Sequence, residues 1–144
     1  MIMFVLDTNV ISESFRPHPD SKAAAWMDTV TLANIYITSL SKAELLVGLA
    51  CMPDGKRKVE LGSAIAALFG RWLQTPVLSF GTTEAEIYAE LVAHRRRLGR
   101  PVGEFDAQIA AIARAHGFAV ATRNVRDFEH CGIEIVNPWA GASA

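Results

Sequence analysis

The sequence has 144 residues, 51% of them hydrophobic and 20% charged, with a formal net charge of −1. This is the profile of one folded domain that buries its own core, and it excludes a disordered chain and a miniprotein that needs disulfide staples. The charge balance does not announce nucleic-acid binding by itself, and no apolar run approaches the ~18–20 residues that cross a bilayer.

Met1 to Leu6 is apolar but has no basic start and is too short for a secretory signal, so a cytoplasmic location is expected. Cys51 and Cys131 have no metal-ligand spacing and read as free thiols in a reducing compartment. No linker, repeat or low-complexity segment breaks the chain. One domain is expected over residues 1–139, with a short loose tail at 140–144.

Phe4-Val5-Leu6 is a short buried strand that ends on Asp7, and a helix follows to about Phe15. Arg16-Pro17-His18-Pro19-Asp20 breaks it, because each proline lacks a donor and restricts its predecessor. Asp20 or Ser21 caps a second helix over 22–29. Ile35 to Thr38 is β-branched and aromatic, a second strand. Ser41 starts a third helix on which Ala43, Leu46, Val47 and Ala50 recur. After the turn Met52-Pro53-Asp54-Gly55, a fourth helix is predicted over 57–73, with Leu61, Ile65, Leu68, Phe69 and Trp72 inward.

Pro76 to Phe80 reads as a third strand. Thr83-Glu84-Ala85-Glu86 has the form of a capping box and opens a fifth helix, with Ile87, Leu91, His94 and Leu98 on one face. Gly99 ends it and Asp106 begins a sixth, which closes at His116-Gly117. Phe118 to Thr122 and Ile133 to Val136 are the last strands. Strands separated by helices predict an α/β fold with a parallel sheet covered on both faces. The continuously apolar strands agree.

Four carboxylates fall at comparable places in this scheme. Asp7 ends the first strand, Glu44 lies in the first turn of the third helix, Asp106 opens the sixth helix, and Asp127 follows the fourth strand. In a parallel sheet, strand ends and the helix starts that follow them share one edge, where ligands bind in open α/β folds. Each acid also has a plain structural role available. Asp7 and Asp106 can cap helices, Ser41 and Glu44 can form a capping box, and Asp127 can hold an Asx-turn. Gathered together they repel, and a divalent cation relieves that repulsion. The donors are all oxygen, which selects Mg²⁺ or Mn²⁺ over zinc. An incompletely filled Mg²⁺ site suits a phosphate substrate.

Leu6-Asp7-Thr8-Asn9-Val10-Ile11-Ser12 resembles the opening of the PIN-domain ribonucleases. Ala43-Glu44-Leu45-Leu46-x-Gly48, Phe105-Asp106-x-x-Ile109-Ala110-Ala111 and Thr122-x-Asn124-x-x-Asp127-Phe128 follow in the same order and spacing. The likeness covers residues 3 to 139 and is greatest to the VapC toxins of type II toxin–antitoxin pairs, in the FitB-like branch. It extends to the ending Asn137-Pro138-Trp139.

The resemblance implies a PIN-like three-layer sandwich with a five-stranded parallel sheet and helices on both faces. It implies a Mg²⁺-dependent endoribonuclease, with Mn²⁺ as a substitute, that hydrolyses phosphodiester bonds by metal-activated water and leaves a 5′-phosphate and a 3′-hydroxyl. By that likeness Asp7, Asp106 and Glu44 hold the metal, and Asp127 is the fourth acidic member of the catalytic set. Thr8 and Asn9 belong to the opening motif, and Thr122 and Asn124 hold the loop and the nucleophilic water. The partners implied are an RNA substrate, a second copy of the chain, and a VapB- or FitA-like antitoxin, with a larger toxin–antitoxin complex on DNA. In the FitB-like branch a carboxylate can stand at the position of Asn124, whereas here the nearest is Asp127. Glu104 stands where a small residue is commoner.

Arg95, Arg96, Arg97 and Arg100 are candidate RNA contacts, although charges at a helix C-terminus also suit a solvated face. Lys56, Arg57 and Lys58 carry the same two readings. The four histidines share no motif. Two other functions fit the same pattern. One is a catalytically silent PIN-like module that binds RNA or protein; retention of all four carboxylates argues against it. The other is a phospho-acceptor receiver domain, which wants paired acids after the first strand and a lysine after the fifth. Asp7 has no acidic neighbour and the last lysine is Lys58.

Overall fold

A computed structural model describes residues 1–141. Its elements in chain order are β1 (Phe4–Leu6), α1 (Thr8–Ser14), α2 (Ser21–Thr29), β2 (Ile35–Tyr36), α3 (Ser39–Ala50), α4 (Lys56–Ala67), α5 (Thr82–Arg97), α6 (Glu104–His116), β3 (Ala119–Ala121) and β4 (Ile135–Val136). All strand pairs are parallel, in the order β2-β1-β3-β4. Among the described residues no helix is long and apolar enough to cross a membrane.

The strands are very short, but each side chain is placed by the two-residue period of the pleat. Val5, Val120 and Ile135 face a layer made by α5 and α6, where Leu91, Ile109, Ile112 and Phe128 are buried. Phe4, Leu6, Ala121 and Val136 face the opposite layer, built from α1 to α4 with Val10, Ile11, Leu45 and Ile65. Both faces are therefore dry, as the apolar strands predicted, and the three-layer sandwich follows.

The predicted five-stranded sheet has four strands. The expected third strand, 76–80, contributes only a single parallel bridge between Leu78 and Thr38. Leu78 N–H donates to Ile37 O at 3.0 Å, and Ser39 N–H donates to Leu78 O at 2.8 Å. The ladder stops there because the chain turns into α3 at Ser39.

Asp20 caps α2 by accepting from Lys22 N–H and Ala23 N–H, as anticipated. Gly99 and Gly117 adopt left-handed conformations (φ 71° and 70°) just past α5 and α6, where a side chain would be strained. The fourth helix is not continuous to residue 73. It passes at Leu68 into one π-helical turn, closed by Leu73 N–H to Leu68 O at 2.8 Å. The wider turn shifts the side chains that follow off the buried stripe. Trp72, expected inside, is 56% exposed as a result. α5 starts at Thr82, and Glu84 accepts from Gly81 N–H, so the box predicted at residues 83–86 is set earlier. Of the tail expected at 140–144, Ala140 closes a 3-10 turn from Pro138, and residues 142–144 lie outside the described residues.

Candidate active site

Leu6 pairs with Ala121 in the parallel register, so Asp7 and Thr122 stand one residue beyond adjacent strands. Asp7 N–H donates to Ala121 O at 2.9 Å, and Thr122 N–H to Val136 O at 2.9 Å. This fixes both backbones at the carboxyl edge of the sheet. The Thr122 hydroxyl then donates to Asp7 Oδ2 at 2.8 Å. Asn9 Nδ2 donates to the same oxygen at 3.2 Å, and Thr8 N–H to Asp7 Oδ1 at 2.8 Å. Asp7 is thus both the cap of α1 and the centre of a polar network.

The network extends outward. Asn124 N–H donates to Thr122 Oγ1 at 3.0 Å, and Arg123 N–H donates to Asn9 Oδ1 at 3.3 Å. The loop after β3 is therefore clasped to the loop after β1. Thr8 Oγ1 donates to Ser41 Oγ at 3.1 Å, which links the same edge to α3.

Two of the plain structural roles are removed by helix register. α3 is capped by Thr38, whose hydroxyl accepts from Ser41 N–H at 3.1 Å. Glu44 is consequently in the second turn, too far along to close a capping box with Ser41. α6 begins at Glu104 with Gly103 as its cap, so Asp106 is the third helical residue rather than the cap. Its carboxylate sits in the first turn, where the helix dipole favours negative charge. Glu104 is exposed.

Burial is the largest influence on three of the acids. It pushes Asp7 above the usual carboxylate range despite hydrogen bonds from Thr122, Thr8 and Asn9, and the charge of Asp127 adds to the rise. Glu44 is raised by burial and then by the charge of Asp7. Asp106 is pushed up to about 6 by burial, then by the charges of Asp7, Asp127 and Glu44, with Arg95 pulling the other way. The four acids therefore share one electrostatic field. Among the described residues, no three histidine, cysteine, aspartate or glutamate side chains close into a ready cation cage.

A groove of ≈ 320 Å³ opens beside this edge, lined by Thr8, Ser12, Glu44, Gly48, Arg57 and Leu61 among others. A larger cavity of ≈ 820 Å³ lies between α5, α6 and the turn at His130–Gly132.

The arginine group divides. Arg96, Arg97 and Arg100 are exposed, and Arg100 pairs with Glu129 at 3.5 Å. Arg95 is instead 5% exposed, with its guanidinium turned inward onto backbone carbonyls, so it is not a surface contact for RNA. Of the expected face Ile87, Leu91, His94 and Leu98, Leu91 is buried and Ile87 packs on the core beside Tyr88, but the stripe continues through Arg95 rather than His94, and Leu98 is exposed. Thr38 is a buried polar residue beside the site that the motifs did not single out, while Ser41 and Arg95 take roles other than the helix start and the RNA contact expected of them. The spacing of Arg95 from Leu91 is a helical-period signal for its burial.

The chain matches the model of the PIN domain over residues 4–133. It is 43% identical to the VapC ribonuclease Y4jK of Sinorhizobium fredii, over 97% of this chain and 100% of that one. It is 37% identical to toxin FitB of Neisseria gonorrhoeae, over 95% and 99%. A solved structure of FitAB bound to a DNA fragment contains a chain that superposes with a TM-score of 0.90 and 34% identity, covering 95% of this chain and 96% of that one.

Proposed function

The chain belongs to the PIN-domain family, and on that premise we propose that it is a metal-dependent endoribonuclease acting as the toxin of a toxin–antitoxin pair. The reading rests on one observation above the rest: Asp7 is held at the carboxyl edge of the sheet by Thr122, Asn9 and Thr8, with Asp106 within electrostatic reach of Asp7, Asp127 and Glu44.

The donor set fits a hard divalent ion. Every candidate ligand is a carboxylate oxygen, and raised acids repelling one another are what a cation would stabilise. Asp7, Asp106 and Glu44 would hold Mg²⁺ or Mn²⁺, with Asp127 as the fourth acid. Such an ion supplies charge compensation to the phosphodiester and lowers the pKa of a coordinated water. Thr122 and Asn9 fix the orientation of Asp7, so its carboxylate needs no reorganisation when substrate arrives. Asn124, whose backbone N–H is pinned to Thr122, would orient the attacking water. Exposed Arg96, Arg97 and Arg100 supply positive charge for the RNA backbone.

The named relatives are a VapC ribonuclease and a FitB toxin, and the FitAB structure is a complex on DNA. By that likeness the protein forms a homodimer and is silenced by a small FitA- or VapB-like antitoxin on its gene's DNA. The groove lined by Thr8, Glu44 and Arg57, beside the acidic edge, would receive the antitoxin. The test is purified protein with total cellular RNA and Mg²⁺ or Mn²⁺. Cuts that leave a 5′-phosphate and a 3′-hydroxyl, absent in Asp7→Asn, support the reading. RNA that is bound and never cut overturns it.

A further inference from the structure

We propose that Arg95 is a positioning residue for the acidic site, a buried fork that fixes the loop bearing Asp127 against the turn leading to Asp106. The proposal rests on the nuclease reading of that site. Arg95 comes from the last turn of α5 and is 5% exposed. Its Nε donates to Arg100 O at 2.6 Å. Its Nη1 points into the concave side of the loop after β3, 2.7 Å from Glu129 O, 3.2 Å from Asp127 O and 3.4 Å from Arg126 O. It also lies 3.8 Å from Cys131 Sγ.

One side chain thus holds two segments that are distant in sequence. The first is residues 98–103, which lead directly into α6 and Asp106. The second is the 126–131 loop, which carries Asp127. The loop needs such a centre. Its short 3-10 turn, Val125–Asp127, has no side-chain cap, and further on His130 adopts a left-handed conformation at φ 62° that non-glycine residues rarely take. With several carbonyls turned inward, an apolar side chain at position 95 would leave them without a donor. The planar fork also explains why the residue is arginine: a lysine ammonium is one point and cannot reach both Arg100 O and Glu129 O in the same geometry.

The experiment uses the full chain as wild type, Arg95→Lys, Asp127→Asn and the double variant. In ¹⁵N NMR of the wild type, the Arg95 Nε–H is expected to exchange slowly with water. Exchange as fast as that of Arg96 and Arg97 overturns the proposal without needing any variant to fold. For RNA cleavage, Arg95→Lys is expected to lower kcat by about 10–100-fold, the cost of a misplaced catalytic group. KM for RNA stays within about twofold, because the arginine does not touch substrate. Adding Asp127→Asn to Arg95→Lys then costs far less than it does in the wild type, since both changes disable the same group. Unchanged kcat, a loss carried by KM, or full additivity overturns the proposal. If the wild type cuts no RNA, the proposed function falls. Mn²⁺ affinity by calorimetry then decides: about tenfold weaker binding in Arg95→Lys supports the positioning role, and equal binding overturns it.

Discussion

The hydroxyl of Thr122 lies 2.8 Å from Asp7 Oδ2, joining residues 115 apart in sequence at the ends of two adjacent strands. Thr122 is fully buried, accepts from Asn124 N–H, and is the hinge of the polar network. Thr122→Val keeps the shape and removes the donor and acceptor. It is expected to reduce RNA cleavage about 10–100-fold by loosening Asp7 and to destabilise the fold by about 1–2 kcal/mol. Thr122→Ser should retain most activity. Steady-state cleavage and urea melts of the two variants check both statements.

Asp7→Asn removes the charge at the centre of the field while keeping an oxygen that caps α1. Cleavage and any growth arrest on induction are expected to vanish. Stability should stay within about 1 kcal/mol, because relief of a buried charge offsets the imperfect fit of an amide to Thr122 and Asn9. Circular dichroism melts beside an RNA gel separate lost chemistry from lost fold.

The raised Asp106 makes metal-free stability depend on pH with a definite sign. Its carboxyl holds a proton more tightly folded, at about 6, than at the ordinary value of 3.8. The folded state therefore binds more protons across that window, and stability falls as pH rises from about 4 through 6. The rise from 3.8 to about 6 corresponds to at most about 3 kcal/mol, which solvent screening at a half-buried site brings to about 1–2 kcal/mol. Asp106→Asn should therefore stabilise the metal-free protein by that amount at pH 7.5 and by nothing at pH 3.5. Urea titrations in EDTA at the two pH values measure it.

Divalent ions are expected to reverse that pH dependence. Mg²⁺ or Mn²⁺ in excess should raise Tm at pH 7.5 and have little effect at pH 4.5, where the acids hold protons that must leave before an ion binds. Asp7→Asn and Asp106→Asn should each remove the rise. Differential scanning fluorimetry with an EDTA control checks this.

The exposed arginines make a separate prediction about substrate binding. With the Asp7→Asn protein as a binder that does not cut, Arg96→Ala and Arg97→Ala should each flatten the slope of log affinity against log salt by about 0.7. Fluorescence anisotropy on a single-stranded RNA across a salt series reads that slope.

Most of the sheet, and the strand and helix ends on which the candidate acids stand, were legible because their signals are local. An apolar triplet ending on Asp7, Asp20 before a helix, and Gly99 and Gly117 after helices each carry their own physical cause. What the sequence hid was set by distant contacts. Ser41 and Glu44 have the spacing of a capping box, but Thr38 takes the cap. It is held at 0% exposure where Leu78 bridges to it, and that fixes where the chain leaves β2. Arg95-Arg96-Arg97 looks uniformly solvated, yet helical period puts the first of them on the stripe of Leu91. The π turn at Leu68, which leaves Trp72 half outside, has no sequence signature here.

β1 has only three residues and lies between β2 and β3, so its second neighbour is supplied by residues 119–121. A nascent chain that has not yet delivered those residues has Asp7 but no Thr122 to hold it. Closure of so wide a sequence interval is among the slow steps of folding. On the proposed function, the candidate site is therefore complete only after the last strands have emerged, late in translation.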